Sequence, residues 1–330
     1  MRINPAILAM LAALPAPVAA DAPSRMSPEA KAYLDDVIAA FRDRHINRGK
    51  VDWTKVTARA YEVAGDAKTP ADTYKAVDVI VEAMGEKHTF FLGADKVKSI
   101  KTGAKVGNSE APRLVLPEGA MLAGGVGMIR VPAFMGSEDQ GRMYTAVAQA
   151  MLARFAARGS CGTIVDLRPN EGGNMWPMLN GLKALLGRPP YGSFYGGGDA
   201  SEETSVWIEK DGEIQSVEGK LVPSVRPDPR LKPVAVLIGR KTASSGEFTA
   251  MAFQGRTNTR FFGGDTAGYV SANELIDLKD GARIAMTSGW GTDRTGKAYT
   301  DKMAPDEATA EGGPTLDAAL VWLKKRGCGR

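Results

Sequence analysis

Apolar positions along the chain fall into two textures. In "SPEAKAYLDDVIAAFRDRHI", Leu34, Val37, Ile38 and Phe41 recur at helical spacing behind Ser27, an N-cap type, and Pro28, a first-turn type. "TPADTYKAVDVIVEAMG" repeats the logic, with Thr69, Pro70 and Asp72 opening a stripe of Val77, Ile80, Val81 and Met84 that stops at Gly85. Residues 27 to 85 therefore predict a small helical module. From Gly124 the texture changes to strand alternating with helix. "GVGMIRVPAF" predicts a strand, Ser137 to Arg158 an amphipathic helix, and "GTIVDLR" and "PVAVLIG" continuous apolar strands of the kind buried on both faces. "MWPMLNGLKALLG", "GEFTAMAFQG" and "LDAALVWLKKRG" predict the intervening and closing helices. Asp211-Gly212 and Asp280-Gly281 are turn dipeptides between alternating strands. The pattern predicts an α/β core of layers with mainly parallel strands, carrying the helical module at its N-terminal side.

The first twenty residues change the picture of where this core works. "MRINPAILAMLAALPAPVAA" joins an early Arg2, an apolar run from Ala6 to Leu14 and a small-residue exit at Val18-Ala19-Ala20, the pattern of a cleaved export signal. The run is far short of the roughly 20 residues that span a bilayer, and prolines interrupt it, so stable membrane insertion is not expected. The chain divides into a signal at 1–20, a helical module at 21–92, a connecting segment at 93–123 and the α/β core at 124–330. A net charge of +4 comes from scattered residues, not from basic clusters interleaved with aromatics, which argues against a nucleic-acid partner. The only cysteines, Cys161 and Cys328, lack metal-ligand spacing, and an oxidising compartment would permit them to pair. No metal or cofactor motif is present.

Candidate chemistry concentrates in "TASSGEF", where a buried strand meets a helix. With Ser244 as N-cap, Glu247 falls at the third helical position and completes a capping box. That leaves Ser245 free at the positive end of the helix, followed by Gly246, whose amide could serve a developing oxyanion. A base is needed, and the chain has two histidines. His45, in "RDRHINRGK", reads as a solvated loop residue; His88, in "KHTFF", sits between a helix stop and two aromatics. "DLRPNEGGN" ends a buried strand in Gly172-Gly173, whose amides face the crevice where open α/β sheets bind ligands. The lysine of a P-loop and the spaced glycines of a dinucleotide fingerprint are both missing, which favours an oxyanion hole over a phosphate cradle.

Taken in order, "KHTFF", "GTIVDLRPNEGG", "TASSGEF" and "FFGGDTAGYVSANELIDLKDG" resemble the C-terminal processing (tail-specific, tricorn-core) serine peptidases, from about Ser27 to the closing helix. The resemblance implies a ClpP/crotonase-like layered core and an exported serine endopeptidase acting on a peptide or protein substrate. It implies that the second serine of the motif, Ser245, is the nucleophile. Many members use a lysine about 25 residues later; that position is Val270, and Lys279 comes first beyond it, so His88, which matches an "HSFF"-like motif, is the expected base. About 35 residues separate Phe91 from the strand at Val126, too few for a PDZ domain. No third triad member is evident, Asp306 and Glu307 being the carboxylates that could orient His88. A non-catalytic peptide- or ligand-binding protein of the same fold and an esterase are the alternative readings.

Overall fold

The computed structural model describes residues 26–196, 203–223 and 227–329; the export signal expected at 1–20 lies outside them. Eight helices are present among these residues: α1 Pro28–Arg44, α2 Trp53–Ala64, α3 Tyr74–Ala83, α4 Ala94–Thr102, α5 Glu138–Ala157, α6 Met175–Leu186, α7 Ser245–Met251 and α8 Gly313–Lys325. The strands are β1 Phe90–Leu92, β2 Glu118–Leu122, β3 Val126–Arg130, β4 Gly162–Asp166, β5 Gly192–Gly196, β6 Glu203–Lys210, β7 Glu213–Val217, β8 Val234–Ile238, β9 Thr259–Gly263, β10 Ser271–Asp277, β11 Arg283–Asp293, β12 Ala298–Tyr299 and β13 Glu307–Ala308.

Two sheets share the molecule. One has the order β13-β9-β8-β4-β3-β2, parallel except for the β2/β3 pair. Every residue of β4 and β8 is buried, because helices cover both faces. Val165, Val236 and Ile238 face the cluster built with α5, α6 and α7, while Ile164, Ala235 and Leu237 face Ala319, Trp322 and Leu323 of α8. Period-two alternation delivers apolar side chains to both sides, so these strands read as continuous apolar runs. A disulfide from Cys161 to Cys328 ties the segment after α8 to the start of β4.

The second sheet corrects the expectation of mainly parallel strands. It runs β1-β11-β5-β6-β7, with β10 and β12 also paired to β11, and all its pairs are antiparallel. Both turn dipeptides lie within it: Asp211 and Gly212 take positive φ between β6 and β7, and Gly281 does so between β10 and β11. Short turns, two residues between β6 and β7 and five between β10 and β11, join antiparallel neighbours, so the hairpins commit these strands to this geometry.

The first three helices pack on this sheet. Leu34, Val37, Phe41, Val77 and Ile80 share one apolar cluster with Ile284 and Met286 of β11. In α1 the Ser27 hydroxyl accepts the Ala30 amide at 3.0 Å, as its N-cap pattern predicts. β1 pairs with β11 through Phe90 and Ala285, which fixes the segment carrying His88 against the core.

Candidate active site

The turn between β8 and α7 is held from several directions. The Thr242 hydroxyl donates to Leu167 O at 2.9 Å and accepts the Gly239 amide at 3.0 Å, and the Ala243 amide donates to Asn170 O at 2.9 Å. Ser244 then adopts φ 51° and ψ −119°, a conformation that costs a residue with a Cβ about 1–3 kcal/mol and persists only where its surroundings impose it. Glu247 is one of those surroundings. Fully buried, its carboxylate accepts the Ser244 and Tyr269 amides on Oε2 and the Gly268 amide on Oε1, each at 2.8 Å, together with the Thr266 hydroxyl. Burial pushes the Glu247 carboxyl up, opposed by these hydrogen bonds.

The strained residue is the one that meets the histidine. Ser244 Oγ lies 2.8 Å from His88 Nε2, whereas Ser245 turns away and donates its hydroxyl to Gly173 O at 2.6 Å. The expectation that Ser245 faces His88 is therefore corrected: the two serines point to opposite sides of the turn, and the N-cap serine is the one aimed at the imidazole. His88 Nδ1 lies 2.7 Å from Ser271 Oγ at the start of β10, a partner that the sequence does not single out. The imidazole is buried at 8% exposure, with its edge on Tyr269, and burial holds its pKa below the ordinary value while the nearby Glu86 charge opposes part of that shift.

Main-chain contacts fix the histidine as firmly as those to its ring. Glu86 accepts the His88 amide on Oε2 at 2.5 Å and the Thr89 amide on Oε1 at 2.9 Å, and Asn273 Nδ2 donates to His88 O at 2.7 Å. His45, expected to be solvated, is fully buried beside this carboxylate. Its Nδ1 accepts the Asn47 amide at 3.0 Å, which leaves the proton on Nε2, facing Thr89 Oγ1 at 3.0 Å and Glu86 Oε1 at 3.3 Å. Burial raises the Glu86 pKa, but the donors from His45, Thr89 and the His88 and Thr89 amides outweigh it and leave the value lowered to about 2. The two other acids weighed as partners of His88 are engaged elsewhere: Asp306 accepts the Phe261 amide at 2.8 Å, and Glu307 pairs with Arg260. Lys279 pairs with Asp36 at the surface.

Of the three glycines expected to stabilise an oxyanion, two have spent their amides. Gly172 N donates to Asn170 Oδ1 at 3.0 Å and Gly246 N to Ala243 O at 2.8 Å. Their value is close packing: a Cβ on Gly246 would stand 2.5 Å from Asn170 O, and one on Gly172 would stand 2.9 Å from the Ser244 Cβ. Gly173 is exposed, and among the described residues neither its amide nor that of Ser245 has an acceptor. Asn170, fully buried, joins both loops by holding Val131 O, Gly172 N and Ala243 N at once. Among the described residues no group of three His, Cys, Asp or Glu could hold a metal ion, and no helix is long and apolar enough to cross a membrane.

A hydroxyl on a strained turn, an imidazole within hydrogen-bond reach of it and unengaged amides are the components of serine hydrolysis. The model of peptidase family S41 matches residues 125–309, which include Ser244, Ser271 and Gly173. The chain belongs to peptidase family S41. It is a serine-type peptidase, a hydrolase of peptide or protein substrates. Among similar proteins, the nisin-resistance protein of Lactococcus lactis subsp. lactis is 30% identical over 276 residues, 83% of this chain and 81% of that one. The chloroplastic C-terminal processing peptidase of Tetradesmus obliquus is 27% identical over 242 residues, 72% of this chain and 46% of the relative. A lipoprotein structure from Streptococcus agalactiae covers 91% of this chain and 98% of its own, with a TM-score of 0.70 at 26% identity. The photosystem II D1 C-terminal processing protease shares the S41 fold at 15% identity, with a TM-score of 0.60 over 92% of this chain and 98% of its own.

Proposed function

We propose that this chain is an exported endopeptidase in which Ser244 is the nucleophile, His88 the general base and Ser271 the group that orients the imidazole. The 2.8 Å approach of Ser244 Oγ to His88 Nε2 carries the reading. With its proton on Nδ1 directed at Ser271, neutral His88 presents an Nε2 lone pair to the Ser244 hydroxyl. Ser244 Oγ attacks the peptide carbonyl as Nε2 takes its proton, and the imidazolium then protonates the leaving amine. Water, deprotonated by the same nitrogen, hydrolyses the acyl-enzyme. The carbonyl oxygen turns towards the amides of Gly173 and Ser245, and a lost donor of this kind costs about 3 kcal/mol in the transition state.

In this reading Ser245 supports the hole rather than attacking, since its hydroxyl holds the Gly173 carbonyl and thereby orients the peptide behind it. Export is supported by the signal pattern of residues 1–20 and by the Cys161–Cys328 pair. The division into a helical module, 21–92, and a ClpP/crotonase-like core, 124–330, belongs to the same reading: the helices of the module build a cluster of their own against Ile284 and Met286 of β11, apart from the cluster around β4 and β8. A strained Ser244 favours catalysis over simple binding, because strain of this kind concentrates at reacting groups.

Mass-spectrometric mapping of products from a peptide library that includes nisin, with the native protein, Ser244→Ala and His88→Ala, tests the proposal. Cleavage by the native protein that disappears in both variants is expected. Cleavage that survives in Ser244→Ala would overturn it.

A further inference from the structure

At the far end of α7 from Ser244, an open cavity of about 280 Å³ is lined by Arg188, Arg256 and Arg294. The arginines come from the turn after α6, the turn after α7 and the end of β11, and Asp228 and Leu231, ahead of β8, complete the opening. Arg256 and Arg294 are buried at 7% and 5% exposure. Burying a guanidinium without a counter-ion is unfavourable, so the partners of each can be accounted for.

Arg256 is satisfied by neutral acceptors. It donates to Leu185 O, to Thr257 O at 2.7 Å, to Thr259 Oγ1 at 3.1 Å and to Lys232 O at 3.0 Å. Arg294 donates to Ala252 O at 2.6 Å, Leu186 O at 3.0 Å and Arg188 O at 3.1 Å, capping the carboxyl ends of α6 and α7. Helix carboxyl ends favour a cation, which explains part of the arrangement. They leave a remainder: the Arg294 Nε is buried and has no acceptor among the described residues. Among those residues, too, no carboxylate comes within ion-pair distance of any of the three arginines; Asp228 acts on Arg188 and Asp293 on Arg294 only through longer-range attraction.

The nearby acids are spent. Asp228, which also lines the cavity, gives both oxygens to Arg230, at 3.0 and 3.1 Å. Asp293, next to Arg294, accepts from Thr295 and Lys297 on one oxygen and from the Tyr299 hydroxyl on the other. Arg256 and Arg294 are each held down to about 10 by burial, with mutual repulsion adding to the effect at Arg256. Both remain cations near neutral pH.

We propose that this cavity is a binding site for a small oxyanion of the phosphate type, separate from the peptidase centre. Arg188, exposed, offers the planar, paired-donor fork with which arginine holds such anions, while Arg256 and Arg294, most of whose N–H groups are held by carbonyls, contribute fixed positive charge beside the opening. A tetrahedral oxyanion would add a close counter-charge to a cluster that holds three cations and no close ion pair, Asp228 and Asp293 acting on Arg188 and Arg294 only at longer range. The source is either free phosphate or a phosphate monoester on a larger molecule.

The mature protein, titrated at constant ionic strength with inorganic phosphate and separately with glycerol phosphate, tests this by calorimetry and thermal unfolding. One saturable site is expected, with a melting temperature that rises with ligand above the dissociation constant. Arg188→Ala, a change at an exposed side chain, is expected to weaken binding by about tenfold. Asp228→Asn, which removes the competing carboxylate, is expected to tighten it. Binding of both ligands admits a monoester; binding of phosphate alone restricts the site to the free ion. Absence of saturable binding, or equal affinity in Arg188→Ala, would overturn the proposal. So would a stabilisation that grows without saturation to the same extent in both proteins, the mark of general salt exclusion.

Discussion

Glu86 holds His88 without touching its ring, and replacing it with Gln separates the two effects of its charge. The folded carboxyl is lowered from 4.5 to about 2, a difference of about 2.5 units, which corresponds to roughly 3 kcal/mol of stability at 1.36 kcal/mol per unit. With 19% of its side chain exposed, little of this is lost to solvent screening. Because the folded value lies below the unfolded one, the stabilisation is complete above about pH 4.5 and disappears as the pH falls towards 2. Glu86→Gln is therefore expected to unfold about 2–3 kcal/mol more easily in denaturant at pH 7, with the gap to the native protein closing in acid. The same charge raises the His88 pKa against the effect of burial. Its removal is expected to move the acid limb of kcat/KM to lower pH and to reduce kcat, since the imidazolium formed during attack loses a stabilising charge. Unchanged stability at pH 7 together with an unmoved acid limb would refute this account of Glu86.

Ser271→Ala removes the 2.7 Å partner of His88 Nδ1 and is expected to lower kcat by about ten- to a hundredfold with little change in KM, with partial recovery in Ser271→Thr; steady-state kinetics decides. Gly246→Ala drives a methyl to 2.5 Å from Asn170 O and is expected to cost about 1–3 kcal/mol in denaturant unfolding and to disorder the nucleophile turn. Replacing Cys161 and Cys328 together by Ala opens a link between residues 167 apart and is expected to lower stability by about 2–5 kcal/mol, read as a fall in melting temperature that reductant reproduces in the native protein.

Much of the parallel sheet was legible because its determinants are local. β8 is an unbroken apolar run, β4 holds an apolar centre between Thr163 and Asp166, and Ser27 and Ser137 precede apolar stripes as working caps. α2 leaves a fainter trace: Trp53, Val56, Ala60 and Val63 repeat at helical spacing, but the large members are only half-buried on the cluster and just Ala60 and Ala64 are fully enclosed. The antiparallel sheet was visible as two hairpins but not as one sheet, because β11 pairs with strands on either side of it that are far apart in sequence. His45 was misread for a related reason: its neighbours in sequence are polar, while the groups that satisfy its ring come from Asn47, Glu86 and Thr89.

The candidate site shows the same limit at finer scale. The motif at Ser244 and Ser245 narrowed the nucleophile to two hydroxyls, and the capping argument assigned Ser244 to the helix and Ser245 to chemistry. Linear spacing carries no information about φ. The positive φ of Ser244 turns its hydroxyl towards His88, while the Ser245 hydroxyl finds the Gly173 carbonyl. Ser271 lies in an ordinary strand alternation and 183 residues from His88, so nothing local marks it.

Mapping the adduct formed with a fluorophosphonate tests the central claim most directly. The native protein, Ser244→Ala and Ser245→Ala would be digested after labelling and the modified residue located by tandem mass spectrometry. The account expects the label on Ser244, its loss in Ser244→Ala and its retention in Ser245→Ala. A label on Ser245 that survives in Ser244→Ala would contradict it.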